Sequence, residues 1–341
     1  MLIMSKNKQF KISILGSGSW GGTIAWLLSK KNYHIKLWVY SKEELDYIKK
    51  NNSLPRPKNL KLKKNIQITS NLEYAIKNVD LVIIAVPTNA FKTTVLKLKS
   101  LKINKRIIIL SATKGIDTKD NLRPSTILKK YLPKNHIAVL SGPNIAMDVI
   151  SESPIISIIA SKNHRVALLL QKLIASKNFR IYLNTDIDGV EIAGALKNVI
   201  AIAAGMCDGF GFNISTKAAL ISRGLIEIAK IAVKEKADPK TLLGASGIGD
   251  LIATCCSINS RNYRVGFSLA KGKKLKVILK ELGQVAEGLE TVKSMVTLAK
   301  KYKVNVPIAN AVYEVAYKNK NPKMALKSLL NRPLAGYELE F

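Results

Sequence analysis

The rhythm of apolar and polar positions changes once along the chain, near Asp186. Before it, short apolar runs of strand length alternate with stretches of helical spacing. Residues 11–15 (KISIL) alternate toward a strand, and His34–Val39 (HIKLWV) makes a second. Asp80–Val86 (DLVIIAV) is a continuous apolar run, the pattern of a strand buried on both faces of a parallel sheet, and Pro87 ends it. Arg106–Leu110 and Ile137–Leu140 repeat that pattern, and Ile155–Ala160 continues it. Helical spacing falls between: from the glycines after residue 15 to about Lys31, then Leu72–Lys77, Ala90–Leu98, Ser125–Tyr131 and His164–Ile174. Beyond Asp186 apolar residues recur at three and four, with many Ala and Gly. Gly189–Cys207, Thr216–Lys236, Leu275–Leu282 and Glu290–Lys301 all read as helices. The pattern predicts an α/β domain with a doubly wound sheet over residues 1–187, followed by an all-helical C-terminal domain over 188–341. At 341 residues, two domains are also what length favours.

Composition narrows the function classes. A hydrophobic share of 47% fits a chain that packs a core. The formal charge of +32 invites a nucleic-acid reading. The excess, however, is lysine spread through every segment rather than arginine clustered with aromatics. Such a surface gives salt-sensitive, non-specific attraction to polyanions and not a specific nucleic-acid site. The cysteines are Cys207, Cys255 and Cys256, two of them adjacent and none at metal-ligand spacing. Neither a disulfide framework nor a metal site is expected, and a reducing cytoplasm fits. The opening MLIMSKNKQFK lacks a long apolar stretch before a small-residue cleavage site, and no uninterrupted apolar run reaches membrane-spanning length. A cytoplasmic protein without membrane insertion is the expectation.

The stretch ILGSGSWGGTIAWLL sets Gly16, Gly18 and Gly21 between a strand and a helix, with a second strand beyond. That is the dinucleotide fingerprint in its proper βαβ context, so the sheet is expected to be of the Rossmann type. An acid closing the second strand would hold the ribose hydroxyls of NAD. Here the strand ends Trp38-Val39-Tyr40-Ser41-Lys42, and Glu43 and Glu44 come late enough to start the next helix. This leans toward NADP.

Nicotinamide chemistry on an alcohol needs a group that exchanges a proton with the substrate oxygen. His34, His136 and His164 sit at strand or helix edges. A lysine can serve when burial or a neighbouring cation lowers its pKa. Lys197 stands with Asn198 in the middle of GVEIAGALKNVIAIAAG, where nearly every other residue is apolar or small, although a lysine in such a place can also snorkel to solvent. Lys114, in SATKGID, follows the strand RIIIL, at the strand end where ligands bind in open α/β sheets. Ser141-Gly142-Pro143-Asn144 follows another strand end. Asp250, Ser260, Arg261 and Asn262 fall in a glycine-rich connection, which is either a solvated loop or a phosphate site with Asp250 pairing a lysine.

GSGSWG, AVP (85–87), ATKGI (112–116), SGPN (141–144), GALKNVIAIAAG (194–205), AALISRG (218–224), GIGDLIATC (247–255), SRN (260–262) and VAEG (285–288) stand in the order found in the NAD(P)-dependent glycerol-3-phosphate dehydrogenases of the soluble bacterial type, which the chain resembles from about residue 11 to about 335. The resemblance implies reduction of dihydroxyacetone phosphate to sn-glycerol 3-phosphate, the phospholipid backbone precursor, by a homodimer. It implies that Lys197 is the general acid/base and that Lys114 touches both cofactor and substrate, with Asp250 in the same centre. It places substrate contacts at Gly142, Asn144, Asn198, Asp250, Ser260, Arg261 and Asn262. It places cofactor contacts at Ser19, Trp20, Ala146, Arg261, Val285 and Glu287, beside the loop glycines. Two departures stand out. The family's Trp-x-Arg at the second strand is here Trp38-Val39-Tyr40, so Tyr40 is left to stack on adenine. Tyr-Leu-Pro-Gly is here Ser53-Leu54-Pro55-Arg56. The rival readings are a β-hydroxyacid dehydrogenase with a carboxylate substrate and a basic polyanion-binding protein.

Overall fold

Ile12, Ile14 and Leu15 of β1 (Lys11–Leu15) are fully enclosed, which puts this strand inside the sheet. The computed structural model describes residues 10–57 and 60–333; the N-terminal stretch read above for a leader, and the chain end beyond 333, lie outside them. After β1 come α1 (Ser19–Ser29), β2 (His34–Trp38), α2 (Lys42–Asn51), the small hairpin β3 (Ser53–Leu54) and β4 (Leu60–Lys61), and β5 (Ile66–Thr69). Then follow α3 (Leu72–Ile76), β6 (Leu81–Ile84), α4 (Thr88–Ser100), β7 (Ile108–Ser111), α5 (Pro124–Tyr131), β8 (Ile137–Ser141), α6 (Ala146–Ile150), β9 (Ile155–Ala160), α7 (His164–Ile174) and β10 (Phe179–Asn184). Eight strands form one sheet in the order β10-β9-β8-β7-β6-β1-β2-β5. The order turns back at β1, which lies between β6 and β2, so the crevice at their carboxyl ends is the place where such sheets take ligands.

The sheet departs from a purely parallel one. β8 and β9 pair antiparallel, while β9 and β10 are parallel to each other. The connection from β8 to β9 carries only the short α6, too little to cross back over the sheet, so the chain turns round. β5 and β10 were not expected from the pattern. Both are edge strands: in β10 Phe179 and Ile181 are buried while Arg180 and Tyr182 are exposed, so neither strand shows a continuous apolar run.

α8 (Ile187–Gly209) opens the helical half. Around it lie α9 (Ile214–Lys234), α10 (Asp250–Cys256), α11 (Arg261–Ala270), α12 (Leu275–Leu282), α13 (Glu287–Tyr302), α14 (Pro307–Tyr317) and α15 (Pro322–Leu330). Nearly all of α8 is buried, because its apolar residues go all round instead of forming one stripe. Among the described residues it is the one helix long and apolar enough to cross a bilayer, and it is the core of this half. Its small residues admit another helix. A Cβ on Gly205 would strike the Tyr263 carbonyl, and one on Gly266 would strike the Ile202 carbonyl, so α8 and α11 meet backbone to backbone. α8 is also tied to the sheet half. Buried Glu191 accepts from Ser125 N at 2.8 Å and from the Ser125 hydroxyl, while Arg123 pairs with Asp188. Burial pushes the Glu191 carboxyl up to about 7, against the pull of Arg123.

Candidate active site

The glycine loop divides its work among three residues. Gly16 has φ +110°, and a Cβ there would sit 2.7 Å from the Ala85 carbonyl oxygen; only glycine makes this turn. Gly21 packs the start of α1 against the loop, since a Cβ there would collide with the Gly16 carbonyl. Gly18 faces open space and caps α1 without a side-chain bond, which leaves its approach free for an anion at the helix N-terminus. Ser19 and Trp20 form the first turn of that helix. The cradle therefore fits a pyrophosphate. At the end of β2, Tyr40 is 76% exposed, edge-on to Trp38, with the Lys97 ammonium 5.6 Å from its ring centre. The next two acids are engaged: Glu43 accepts from Ser41, and Glu44 turns inward to accept from Ser17 of the loop at 2.7 Å.

Strand ends β7 and β8, helix α8 and the start of α10 converge on one carboxylate. Asp250 is 1% exposed. Its Oδ2 accepts from Lys114 Nζ at 2.8 Å, and its Oδ1 lies 2.8 Å from Lys197 Nζ. Lys197, 5% exposed, also donates to the Thr254 hydroxyl, which in turn donates to the Asp250 carbonyl at 2.7 Å. Lys197 does not snorkel. Lys114 donates to the Gly142 carbonyl at 2.6 Å, and Gly194 in α8 makes room for the strand end, since a Cβ there would lie 2.7 Å from Ser141 Oγ. Burial lowers the Lys114 pKa to about 8; Asp250 opposes the shift and Lys197 adds to it. Two ammoniums around one carboxylate leave a net positive site suited to a developing oxyanion.

The segment before Asp250 decides between the two alternatives that the sequence leaves open there. It is not a solvated loop: Ala245–Gly249 winds as a π-helical turn that runs straight into α10. Such wide turns re-aim the side chains that follow them. Arg261 likewise begins a helix. Ser260 caps α11, accepting from Tyr263 N at 3.3 Å, and Asn262 links three helices. It donates to Asn198 Oδ1 at 2.8 Å and accepts from Gly288 N at 2.9 Å. Ser260, Arg261, Asn262 and Asn198 thus gather at the N-terminus of α11, where the helix dipole favours an anion. Burial works against the charge on Arg261, and Glu287 supports it. Glu287 also accepts from Thr88 N at 3.1 Å, bridging α13 to the sheet half.

Asn144 lies beside this centre, accepting from Ser157, and its buried Nδ2 has no partner. Ala146 stands at the start of α6 and Val285 is 39% exposed; no bond joins either of them to the lysine pair. Sequence reasoning missed Thr254 and Thr88. Thr254 was findable, because it stands one turn after Asp250 on the same helix face. Thr88 carries no such signal, since its backbone N–H is the group used.

Comparison with known proteins follows the same lines. The chain matches the family models described as NAD-dependent glycerol-3-phosphate dehydrogenase N-terminus over residues 11–167 and C-terminus over residues 186–327. It is 41% identical over 322 residues to glycerol-3-phosphate dehydrogenase [NAD(P)+] of Thermoanaerobacter sp. (strain X514), covering 94% of this chain and 97% of that one. The enzyme of the same name from Bacillus subtilis (strain 168) is 41% identical over 329 residues, covering 94% of each chain. The crystal structure of glycerol-3-phosphate dehydrogenase from Coxiella burnetii superposes with a TM-score of 0.92 at 31% identity, covering 95% of this chain and 99% of that one.

Proposed function

Because the chain belongs to the NAD-dependent glycerol-3-phosphate dehydrogenase family, we propose that its buried Lys114–Asp250–Lys197 cluster carries the reduction of dihydroxyacetone phosphate to sn-glycerol 3-phosphate. The nicotinamide cofactor, NADH or NADPH, supplies the hydride. The observation that carries the reading is one enclosed carboxylate holding both ammoniums at 2.8 Å. Lys197 donates a proton to the oxygen that becomes the new hydroxyl, and takes it back in the reverse direction. Lys114 stabilises charge on that oxygen and holds the strand-end carbonyl of Gly142 in place. Asp250 keeps both lysines aimed. Arg261, with Ser260 and Asn262, takes the substrate phosphate, and this remote binding fixes the carbonyl for attack. A carboxylate substrate of the β-hydroxyacid type would leave that end of the site without a purpose.

The direct test is oxidation of NADPH and of NADH that depends on dihydroxyacetone phosphate, followed by nicotinamide absorbance. Turnover with neither, from folded protein, sinks the assignment. Arg261→Ala is expected to raise the KM for dihydroxyacetone phosphate by at least about tenfold, the scale of a charged hydrogen bond to phosphate. An unchanged KM rules Arg261 out as the phosphate anchor.

Of the two cofactors, the site favours NADPH. No free acid closes β2, both nearby glutamates are engaged, the Lys97 ammonium stands by the exposed Tyr40 ring, and Lys42 opens α2 two residues after Tyr40. Lys42→Ala should weaken NADPH binding several-fold more than NADH binding, measured by fluorescence titration. Equal effects reject a 2′-phosphate role for Lys42. The same reading gives the product a role as phospholipid precursor, divides the chain at residues 187/188, and places a homodimer in the cytoplasm, to be checked by sedimentation and fractionation.

A further inference from the structure

Arg56 has no part in the reading above. It is an exposed residue in the turn of the β3–β4 hairpin, on the cofactor-binding half. Leu54, two residues earlier, seats that hairpin on α1, where a Cβ on Gly22 would strike its side chain. Gly22 lies one turn from Gly18 and donates its N–H to the Gly18 carbonyl at 2.9 Å. The hairpin is thereby fixed beside the open mouth of the phosphate cradle.

From this anchor the guanidinium crosses to the other half of the protein. Its Nη1 donates to the Gly283 carbonyl at 2.8 Å. Gly283 ends α12 with φ +55° and opens the short segment to Val285 and Glu287. The Arg56 charge lies within Coulombic reach of Arg261 and adds to burial in disfavouring protonated Arg261. Glu287, whose carboxyl burial pushes up, is the acid that supports Arg261. Two guanidiniums within Coulombic reach of each other are unfavourable unless an anion joins them. The Gly283 carbonyl takes one guanidinium N–H and leaves the others for that anion.

We infer that Arg56 clamps the cofactor: it reaches from the hairpin over the N-terminus of α1 and binds the dinucleotide's pyrophosphate while joining the two halves of the protein. The pyrophosphate is favoured over the substrate phosphate because the hairpin is seated on α1. The substrate phosphate, moreover, already has the N-terminus of α11. The inference rests on the dehydrogenase reading only for a dinucleotide being bound, not for the substrate.

The test is binding, not turnover. Dissociation constants for NADH, NADPH and ADP-ribose are measured by calorimetry for the wild type, Arg56→Ala and Arg56→Lys. In Arg56→Ala all three are expected to weaken by a similar factor of about ten, with a shallower loss of affinity as salt rises; Arg56→Lys should lie between. Arg56→Met, which keeps the aliphatic stem, replaces the alanine variant if the latter's thermal transition shows that the hairpin has loosened. Unchanged affinity for NADH overturns the inference. So does a loss confined to NADPH, which would put the guanidinium on the 2′-phosphate, or a rise confined to the KM for dihydroxyacetone phosphate. If the wild type binds dinucleotides but does not turn over dihydroxyacetone phosphate, the proposed reaction fails and the clamp still stands or falls on these constants.

Discussion

Lys197→Ala is expected to lower kcat for the reduction of dihydroxyacetone phosphate by at least about 10²-fold, the scale of a lost general acid. The lysine is 5% exposed in the middle of α8, so its charge is not there for solubility. It is held by the Asp250 carboxylate and by the Thr254 hydroxyl. A buried ammonium is costly unless paired, and this one has a pair and a hydrogen-bond acceptor that both aim it. The variant keeps Lys114 on Asp250, so the carboxylate stays paired and the fold should persist. Lys197→Met keeps the volume and should lose activity equally, which separates proton transfer from packing. Steady-state rates at saturating substrate decide the matter: turnover near that of the wild type in the methionine variant would falsify the role.

Asp250→Asn should be the second most damaging change, by at least about 10²-fold in kcat/KM. It removes the counter-ion of two ammoniums at once and leaves both enclosed. Losing one partner of a buried pair costs about 3–5 kcal/mol of stability in other proteins, so a lowered melting temperature is expected as well. The pH dependence supplies a sharper signature. Burial holds Lys114 at about 8, and Asp250 is the group that opposes this. Without the carboxylate the Lys114 pKa must fall further. The protonated form that binds substrate is then lost at lower pH, and the alkaline limb of kcat/KM should move to the acid side. An alkaline limb that stays in place would show that Asp250 does not tune Lys114 and serves only to join α10 to its neighbours.

Much of this protein could be read from its residues. The glycine spacing, set between a strand and a helix, announced the tight turn that Gly16 makes into α1. The change from strand-length runs to spacings of three and four fixed the two halves, because burial on both sheet faces and burial of helical stripes leave different periods. Lys197 stood out for being charged in an apolar helix. Other features carry no local signal. The reversal of β9 depends on how far α6 can carry the chain, and β5 and β10 sit at sheet edges with one wet face. What crowds the glycines of α8 is α11, some sixty residues away in sequence. The π-helical turn before Asp250 made a buried ligand of lysines from what reads as a loop. The pairing of Lys114 and Lys197 with Asp250 joins residues 136 and 53 positions apart, and Arg56 meets Gly283 across 227. Local sequence encodes periods, turns and caps. Which charges end up facing one another is decided only when the halves pack, because Coulombic and hydrogen-bond terms depend on distance and burial and not on order along the chain.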